Sequence, residues 1–169
     1  MKNECKCHNK NLKINIKKLS MPKHSENKKM PYKAYQMFDL VSDIENYSNF
    51  LPWCSGARIK NEINVNNDTI ITADLIISFK AFREKFTSEV TLISENNEVK
   101  VKYLDGPFKY LVNQWQFTDL AEGGCNASFM VDFEFKSKIL QALIGVVFND
   151  AMLKIVQAFE EQAAKLYDE

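Results

Sequence analysis

The sequence predicts an α+β domain in which an antiparallel sheet packs against one long C-terminal helix. Four segments alternate apolar and polar residues with the period of a β-strand, namely 71–79, 82–92, 111–117 and 125–135. Short turns rich in Asn, Asp and Gly separate these segments, which favours strands that follow one another through hairpins. The region 137–167 then has the pattern of a single long helix. Packing this helix across one face of the sheet buries the apolar surface of both.

Two short helices are expected before the strands. Pro31 suits a first helical position, and four apolar residues behind it repeat at helical spacing: Ala34, Met37, Phe38 and Val41. Asp43 is expected to cap a second short helix over residues 44–49, and Pro52 ends the helical structure. Shorter strands are expected over residues 57–63 and 99–104.

Each of the four clear strands has one apolar face. The large residues expected to point inward are Leu75, Ile77, Phe79, Phe86, Val90, Trp115, Phe117, Phe129 and Phe133. The acidic residues of these strands, Asp74, Asp132 and Glu134, fall on the opposite face, which indicates a solvated outer surface. The alternation therefore predicts a sheet with one face available for a core or a ligand.

The long helix has more apolar surface than the sheet alone can cover. Its first half, the run Ile139–Phe148, is apolar nearly all round. One stripe at helical spacing is expected to face the sheet, with two apolar residues beside it; together these are Leu140, Leu143, Ile144, Val147, Phe148, Met152 and Ile155. Two arrangements remain open: a helix that lies flat on a filled core, and a helix that closes a cavity for an apolar ligand.

The charge of the chain is divided between its two ends. Residues 1–30 carry nine lysines and two acids, a net charge of +7, so the rest of the neutral chain carries −7. Residues 1–20 are expected to be a disordered basic extension that could contact anionic lipid or RNA, and Met21 is a second candidate for the initiating residue. The domain itself is expected over residues 21–169.

The residues of the domain argue against catalysis. No histidine follows Pro31, so a Ser-His or Cys-His nucleophile is unavailable there, and no Gly-rich phosphate loop is present. Cys5, Cys7 and His8 lack the C-x-x-C spacing and the second ligand pair of a zinc site. We therefore expect a protein that is not an enzyme and that binds no metal.

Two loops carry bulky apolar residues that core packing does not require. The first contains Phe50, Leu51, Pro52 and Trp53, and the second contains the pair Pro107–Phe108. Apolar residues exposed on loops are typical of a binding-site mouth or of a rim that faces a membrane. We therefore include all six residues among the candidates for ligand binding.

These loops also carry a family resemblance. The segment Gln36–Cys54, which reads QMFDLVSDIENYSNFLPWC, resembles the signature of the coenzyme Q-binding START-like family, and Leu104–Phe108 and Phe133–Phe135 resemble later parts of the same family. The resemblance covers about residues 21–167. Ser48 stands where family members often carry proline. The family also includes a bacterial ribosome-association toxin.

The resemblance implies both a fold and a function. The fold is a helix-grip (START/Bet v 1-like) arrangement with a first strand near residues 23–29, two small helices, six further strands, and a long helix closing an apolar cavity. The function is non-catalytic binding of ubiquinone in support of respiratory electron transfer, in the cytoplasm or peripherally at the inner face of the bacterial membrane. The alternatives are a growth-inhibiting toxin that binds the large ribosomal subunit and blocks subunit association, and an enzyme of the polyketide cyclase type.

Overall fold

The computed structural model describes residues 23–168. Seven strands form one antiparallel sheet in the spatial order β1-β7-β6-β5-β4-β3-β2. Their bounds are β1 Lys23–Met30, β2 Cys54–Val65, β3 Asp68–Phe79, β4 Phe82–Ile93, β5 Glu98–Asp105, β6 Phe108–Asp119 and β7 Cys125–Phe135. Strands β2 to β7 form a meander, and β1 joins its far edge by pairing with β7.

Three helices and two 3₁₀ turns complete the fold. Helix α1 covers Ala34–Ser42, the first 3₁₀ turn covers Ile44–Asn46, α2 covers Tyr47–Phe50, and α3 covers Lys138–Tyr167; the second 3₁₀ turn, Ser94–Asn96, lies between β4 and β5. Ser137 caps α3 by accepting a hydrogen bond from the backbone N–H of Leu140. The predicted α+β architecture, with a curved antiparallel sheet and one long C-terminal helix, is confirmed.

The strand faces are also as predicted. In β7 every second residue from Cys125 to Phe135 is buried, and the residues between them are only partly buried. The acidic residues lie on the outer face, where each has partners: Asp132 accepts a hydrogen bond from Tyr110 at 2.9 Å, and Asp74 accepts one from Thr87 at 2.5 Å. The bond from Thr87 is the main cause of a lowered pKa for Asp74, and nearby lysines add to it.

The helix boundaries before the sheet differ from the prediction. Pro31 lies ahead of α1, because the first turn is held instead by Gln36, whose side chain accepts from the backbone N–H of Lys33 at 2.9 Å. The side chain of Asp43 forms no capping hydrogen bond, and the segment after it splits into the first 3₁₀ turn and the four-residue α2. These caps depend on tertiary contacts: the N–H of Ala34 donates to Asp119, 85 positions away.

Strand β1 covers Lys23–Met30, as the family resemblance implied. The last part of the basic segment 1–30 is therefore a strand of the sheet. His24 is consequently part of the domain, with its ring 5.9 Å from the ring of Phe129 and 6.4 Å from that of Phe148. His24 precedes Pro31, so the sequence-based exclusion of a Ser-His or Cys-His nucleophile did not take it into account. Residues 1–20, including Cys5, Cys7 and His8, lie outside the described residues.

Candidate ligand cavity

An apolar cavity of about 200 Å³ lies between the sheet and the second half of α3. Strands β3 to β7 form its floor, α3 covers it, and the segment from α1 to the start of β2 forms one wall. Its lining residues are Val41, Ile44, Tyr47, Leu51, Pro52, Cys54, Leu75, Ile77, Phe86, Ser88, Val90, Val99, Val101, Leu111, Asn113, Trp115, Phe129, Val131, Met152, Ile155 and Phe159. This composition is typical of a site for a hydrophobic molecule with few polar groups.

Besides Trp115 with its indole N–H, four of the lining residues carry polar side-chain atoms. Tyr47 donates a hydrogen bond to the backbone oxygen of Val41, and burial raises the pKa of its phenol. Burial also raises the pKa of the Cys54 thiol, so the reactive thiolate is disfavoured. The other two are Ser88 on β4 and Asn113 on β6. No histidine, lysine, arginine or carboxylate is among the residues that line the cavity in the described part of the chain.

Asn113 is the most unusual of the four. Its Oδ1 atom is buried and accepts no hydrogen bond within the described residues. Its cross-strand partners are Val101 on β5 and Val131 on β7. The same face of β6 continues with Leu111 and Trp115, so the indole N–H of Trp115 is the one polar side-chain group among these four neighbours of Asn113. Buried carbonyl oxygens normally have a partner, which makes this atom exceptional.

The structure brings together ten of the residues singled out from the sequence. They line the cavity from three sides and are Leu51, Pro52, Leu75, Ile77, Phe86, Val90, Trp115, Phe129, Met152 and Ile155. The strand residues are there because they share the inward face of the sheet. Leu51 and Pro52 are there because α2 ends at Phe50 and directs the following loop across the cavity wall.

The other singled-out residues lie elsewhere. Five are buried in the core beside the cavity: Phe108, Phe117, Phe133, Leu140 and Phe148. Phe108 contacts the rings of Phe86, Phe133 and Phe135, and this aromatic cluster fills the space beneath the first half of α3. The cavity is therefore confined to the region beneath the second half of the helix.

Seven singled-out residues are partly exposed and do not line the cavity. Three of them, Leu143, Ile144 and Val147, lie on the first half of α3, and Pro107 lies in the turn before β6. Phe50 packs its ring 5.3 Å from that of Phe159. The ring centroids of Trp53 and Phe79 lie 5.5 Å apart, and the ammonium group of Lys154 lies 5.9 Å from the ring centroid of Trp53.

Sequence reasoning missed eleven lining residues. Strand alternation places Leu111, Asn113 and Val131 on the inward face, so their phase was a usable signal. Phe159 continues the helical stripe of Met152 and Ile155, so its spacing was also a usable signal. Tyr47 and Cys54 gave no comparable signal, because their positions depend on how the segment from α2 to the start of β2 folds against the sheet. Val41, Ile44, Ser88, Val99 and Val101 complete the set.

The outer surface of α3 is also partly apolar. Three apolar residues spaced seven apart along α3 are strongly exposed: Ile139 at 75%, Val146 at 85% and Leu153 at 57%; Leu166, at 52%, lies separately near the end of the helix. By length and composition α3 is the one helix among residues 23–168 that could cross a membrane, although core helices of soluble proteins pass the same test. Here only 17% of its most apolar window is buried. We call Ile139, Val146 and Leu153 the exposed α3 face.

The fold and cavity define the class of protein. A curved antiparallel sheet that grips a long helix over an apolar cavity is the helix-grip fold of START and Bet v 1-like proteins. The profile of the family described as polyketide cyclase / dehydrase and lipid transport matches residues 30–160. The chain belongs to this family.

Three similar proteins extend the comparison. Ribosome association toxin RatA of Escherichia coli (strain K12) is 35% identical over 152 residues, covering 90% of this chain and 93% of the toxin. Coenzyme Q-binding protein COQ10 homolog B, mitochondrial, of Xenopus laevis is 32% identical over 148 residues, covering 85% of this chain and 59% of that protein. The solution structure of the 18 kDa protein CC1736 from Caulobacter crescentus has a TM-score of 0.74 and 32% identity, covering 88% of this chain and 100% of that one.

Proposed function

We propose that this protein binds a polyprenyl quinone, ubiquinone, without chemically changing it, and so supports respiratory electron transfer. The observation that carries the proposal is the apolar cavity beneath the second half of α3. A quinone ring is flat and largely apolar, with a few oxygen atoms at its edge. A cavity of hydrophobic side chains, whose few polar groups belong to Tyr47, Cys54, Ser88, Asn113 and the indole of Trp115, suits such a molecule.

The size of the cavity limits how much of the ligand it can hold. An engineered apolar cavity of about 150 Å³ accommodates benzene, so a cavity of about 200 Å³ suits one ring and the start of a side chain. A long polyprenyl tail must therefore lie mostly outside. We propose that the ring enters the cavity and that most of the tail stays in an apolar environment next to the protein.

The exposed α3 face is suited to supply that environment by docking on an anionic membrane surface. Lys138 lies next to Ile139 at the start of α3, and Lys154 follows Leu153, where it contacts the ring of Trp53. An apolar helix face with basic and tryptophan side chains at its border is typical of interfacial membrane binding. We therefore propose that the protein acts in the cytoplasm and peripherally at the inner face of the bacterial membrane.

The lining supports binding rather than catalysis. Proton transfer requires a side chain whose pKa lies near the working pH. The titratable lining groups are Tyr47 and Cys54, and burial raises the pKa of both away from neutrality. The His24 ring contacts Phe129 from the β1 side and is not among the cavity-lining residues.

Extraction of the purified protein tests the proposal. The protein is produced in quinone-containing cells, washed free of membranes and extracted with organic solvent, and the extract is analysed by mass spectrometry. We expect quinone to co-purify in a fixed ratio to protein, and added quinone to fill any remaining sites. If micromolar protein neither contains nor takes up quinone, the proposal fails.

A second candidate function is inhibition of growth through the large ribosomal subunit. The observation that favours it is the 35% identity to the E. coli ribosome association toxin over 90% of this chain. The +7 charge of residues 1–30 would add attraction to ribosomal RNA. Sucrose-gradient profiles after overproduction test this candidate. An accumulation of free subunits supports it, whereas unchanged profiles with both the full chain and a chain lacking residues 1–20 exclude it.

A further inference from the structure

The buried amide of Asn113 indicates what kind of head group the cavity selects. An Asn side chain offers one hydrogen-bond acceptor, Oδ1, and two donor hydrogens on Nδ2. The buried Oδ1 of Asn113 accepts no hydrogen bond within the described residues. Its cross-strand neighbours Val101 and Val131, together with Leu111 and Trp115 on its own strand, present no side-chain donor on this face except the indole N–H of Trp115.

The Asn113 side chain that carries this unpaired acceptor lies at the cavity, where a ligand can reach it. Asn113 lies on the central strand β6 and is one of the cavity-lining residues. The torsion about its Cβ–Cγ bond is broad, so either amide atom can turn toward a bound molecule. An unsatisfied buried acceptor is costly, and a bound group that donates a hydrogen bond to it removes this cost.

We infer that the cavity prefers a ligand that brings a hydroxyl group to Asn113, and therefore binds the reduced quinol more tightly than the quinone. This inference rests on the quinone-binding function proposed above. Ubiquinol carries a hydroxyl donor beside a methoxy acceptor, and this pair matches the acceptor and donor of one amide. Ubiquinone carries two acceptors at the same positions, so it can pair with Nδ2 but leaves Oδ1 without a partner.

The consequence is that the protein discriminates between redox states. One hydrogen bond to a buried acceptor corresponds to about a tenfold difference in dissociation constant. Asn113 acts here as a specificity-determining residue and takes no part in electron transfer. The protein would accordingly carry mainly the reduced form.

The test compares both redox forms of a short-tailed analogue, decylubiquinone and decylubiquinol, by calorimetric titration without oxygen. The variants are Asn113→Leu, which has a similar shape but no polar atoms, and Asn61→Leu as a control at an exposed position of β2. We expect wild type and Asn61→Leu to bind the quinol about tenfold more tightly than the quinone. In Asn113→Leu we expect both forms still to bind, with this ratio near one, because the variant has neither the acceptor nor the donor of the amide.

The alternatives give different results. If wild type binds both forms equally, or if Asn113→Leu keeps the preference for quinol, the inference is overturned while quinone binding stands. If neither form binds to wild type, the proposed function itself fails and the inference falls with it. Thermal unfolding without ligand provides a second measurement. An orphan acceptor predicts that Asn113→Leu is at least as stable as wild type, and marked destabilisation would show that Asn113 already has a partner.

Discussion

Filling the cavity should abolish ligand binding without unfolding the protein. Ile155 lines the cavity from α3, and Ile155→Trp places a large ring in the space that the quinone ring would occupy. We take the quinone ring to bury at least as much area as an aromatic side chain, about 150 Å², which at about 25 cal/mol per Å² corresponds to about 4 kcal/mol. If the new Trp side chain keeps the quinone ring out of the cavity, binding is weakened by a factor of about 1,000. The empty volume limits the overpacking penalty, which is about 1–3 kcal/mol in a filled core.

Ligand-dependent thermal stability is a suitable assay. Ligand at about 100 times its dissociation constant stabilises the folded state by about 2.7 kcal/mol. For a protein of this size that corresponds to an increase in Tm of about 5–10 °C. We expect this increase in wild type and none in Ile155→Trp.

The matched control is Leu153→Trp, two residues away on the same helix but 57% exposed. It should keep the full ligand-induced increase in Tm, because its side chain lies outside the cavity. The reasoning is refuted if Ile155→Trp retains the wild-type increase, since the ligand must then bind at another site. Equal loss in both variants would instead indicate that the ligand binds on the outer surface of α3.

Three further predictions concern the surface, a turn and a titrating group. Val146→Glu on the exposed α3 face should reduce co-sedimentation with anionic vesicles at least tenfold. Leu166→Glu, exposed near the end of the same helix, should leave co-sedimentation unchanged. Equal effects of the two substitutions would contradict membrane docking through the exposed α3 face. Gly124→Ala should destabilise the protein by more than about 2 kcal/mol in urea unfolding, because its added Cβ would lie 2.2 Å from a backbone carbonyl oxygen of β1. Gly123→Ala, also at positive φ but with open space around its Cβ, should cost only about 1 kcal/mol. Equal losses of stability would refute the predicted clash at Gly124. Asp74→Asn should lose up to about 1 kcal/mol at neutral pH. Because the pKa of Asp74 is lowered on folding, its contribution is present above the unfolded value of 3.8 and is lost as the pH falls through the folded pKa, so wild type and variant should converge in strong acid; a gap that persists there would refute it.

Local patterns in the sequence were sufficient to predict most of the fold. Alternation along β7 identifies its buried face residue by residue, and Ser137 is recognisable as the cap of α3. The caps that the sequence did not reveal depend on distant partners. Asp43 has the right chemistry to cap the helix that follows it, yet its side chain forms no capping hydrogen bond. The start of α1 is fixed by Gln36 and by the contact of the Ala34 N–H with Asp119.

The position of the cavity was harder to predict for a related reason. The apolar run Ile139–Phe148 drew attention to the first half of α3, but the aromatic cluster around Phe108 fills the space beneath it. The cavity lies instead beneath Met152 and Ile155. Periodicity shows which side of a strand or helix is buried, but whether that side meets another side chain or empty space depends on three-dimensional packing.

Methyl-resolved NMR with selectively labelled isoleucine tests the central claim most directly. Ile44, Ile77 and Ile155 line the cavity from three different elements, whereas Ile63 and Ile139 are exposed at 47% and 75% on the outer surface. On titration with decylubiquinone or decylubiquinol, we expect the three cavity methyl signals to shift together and to saturate at one ligand per protein. Shifts confined to Ile63 or Ile139, or no shifts at all, would contradict quinone binding in this cavity.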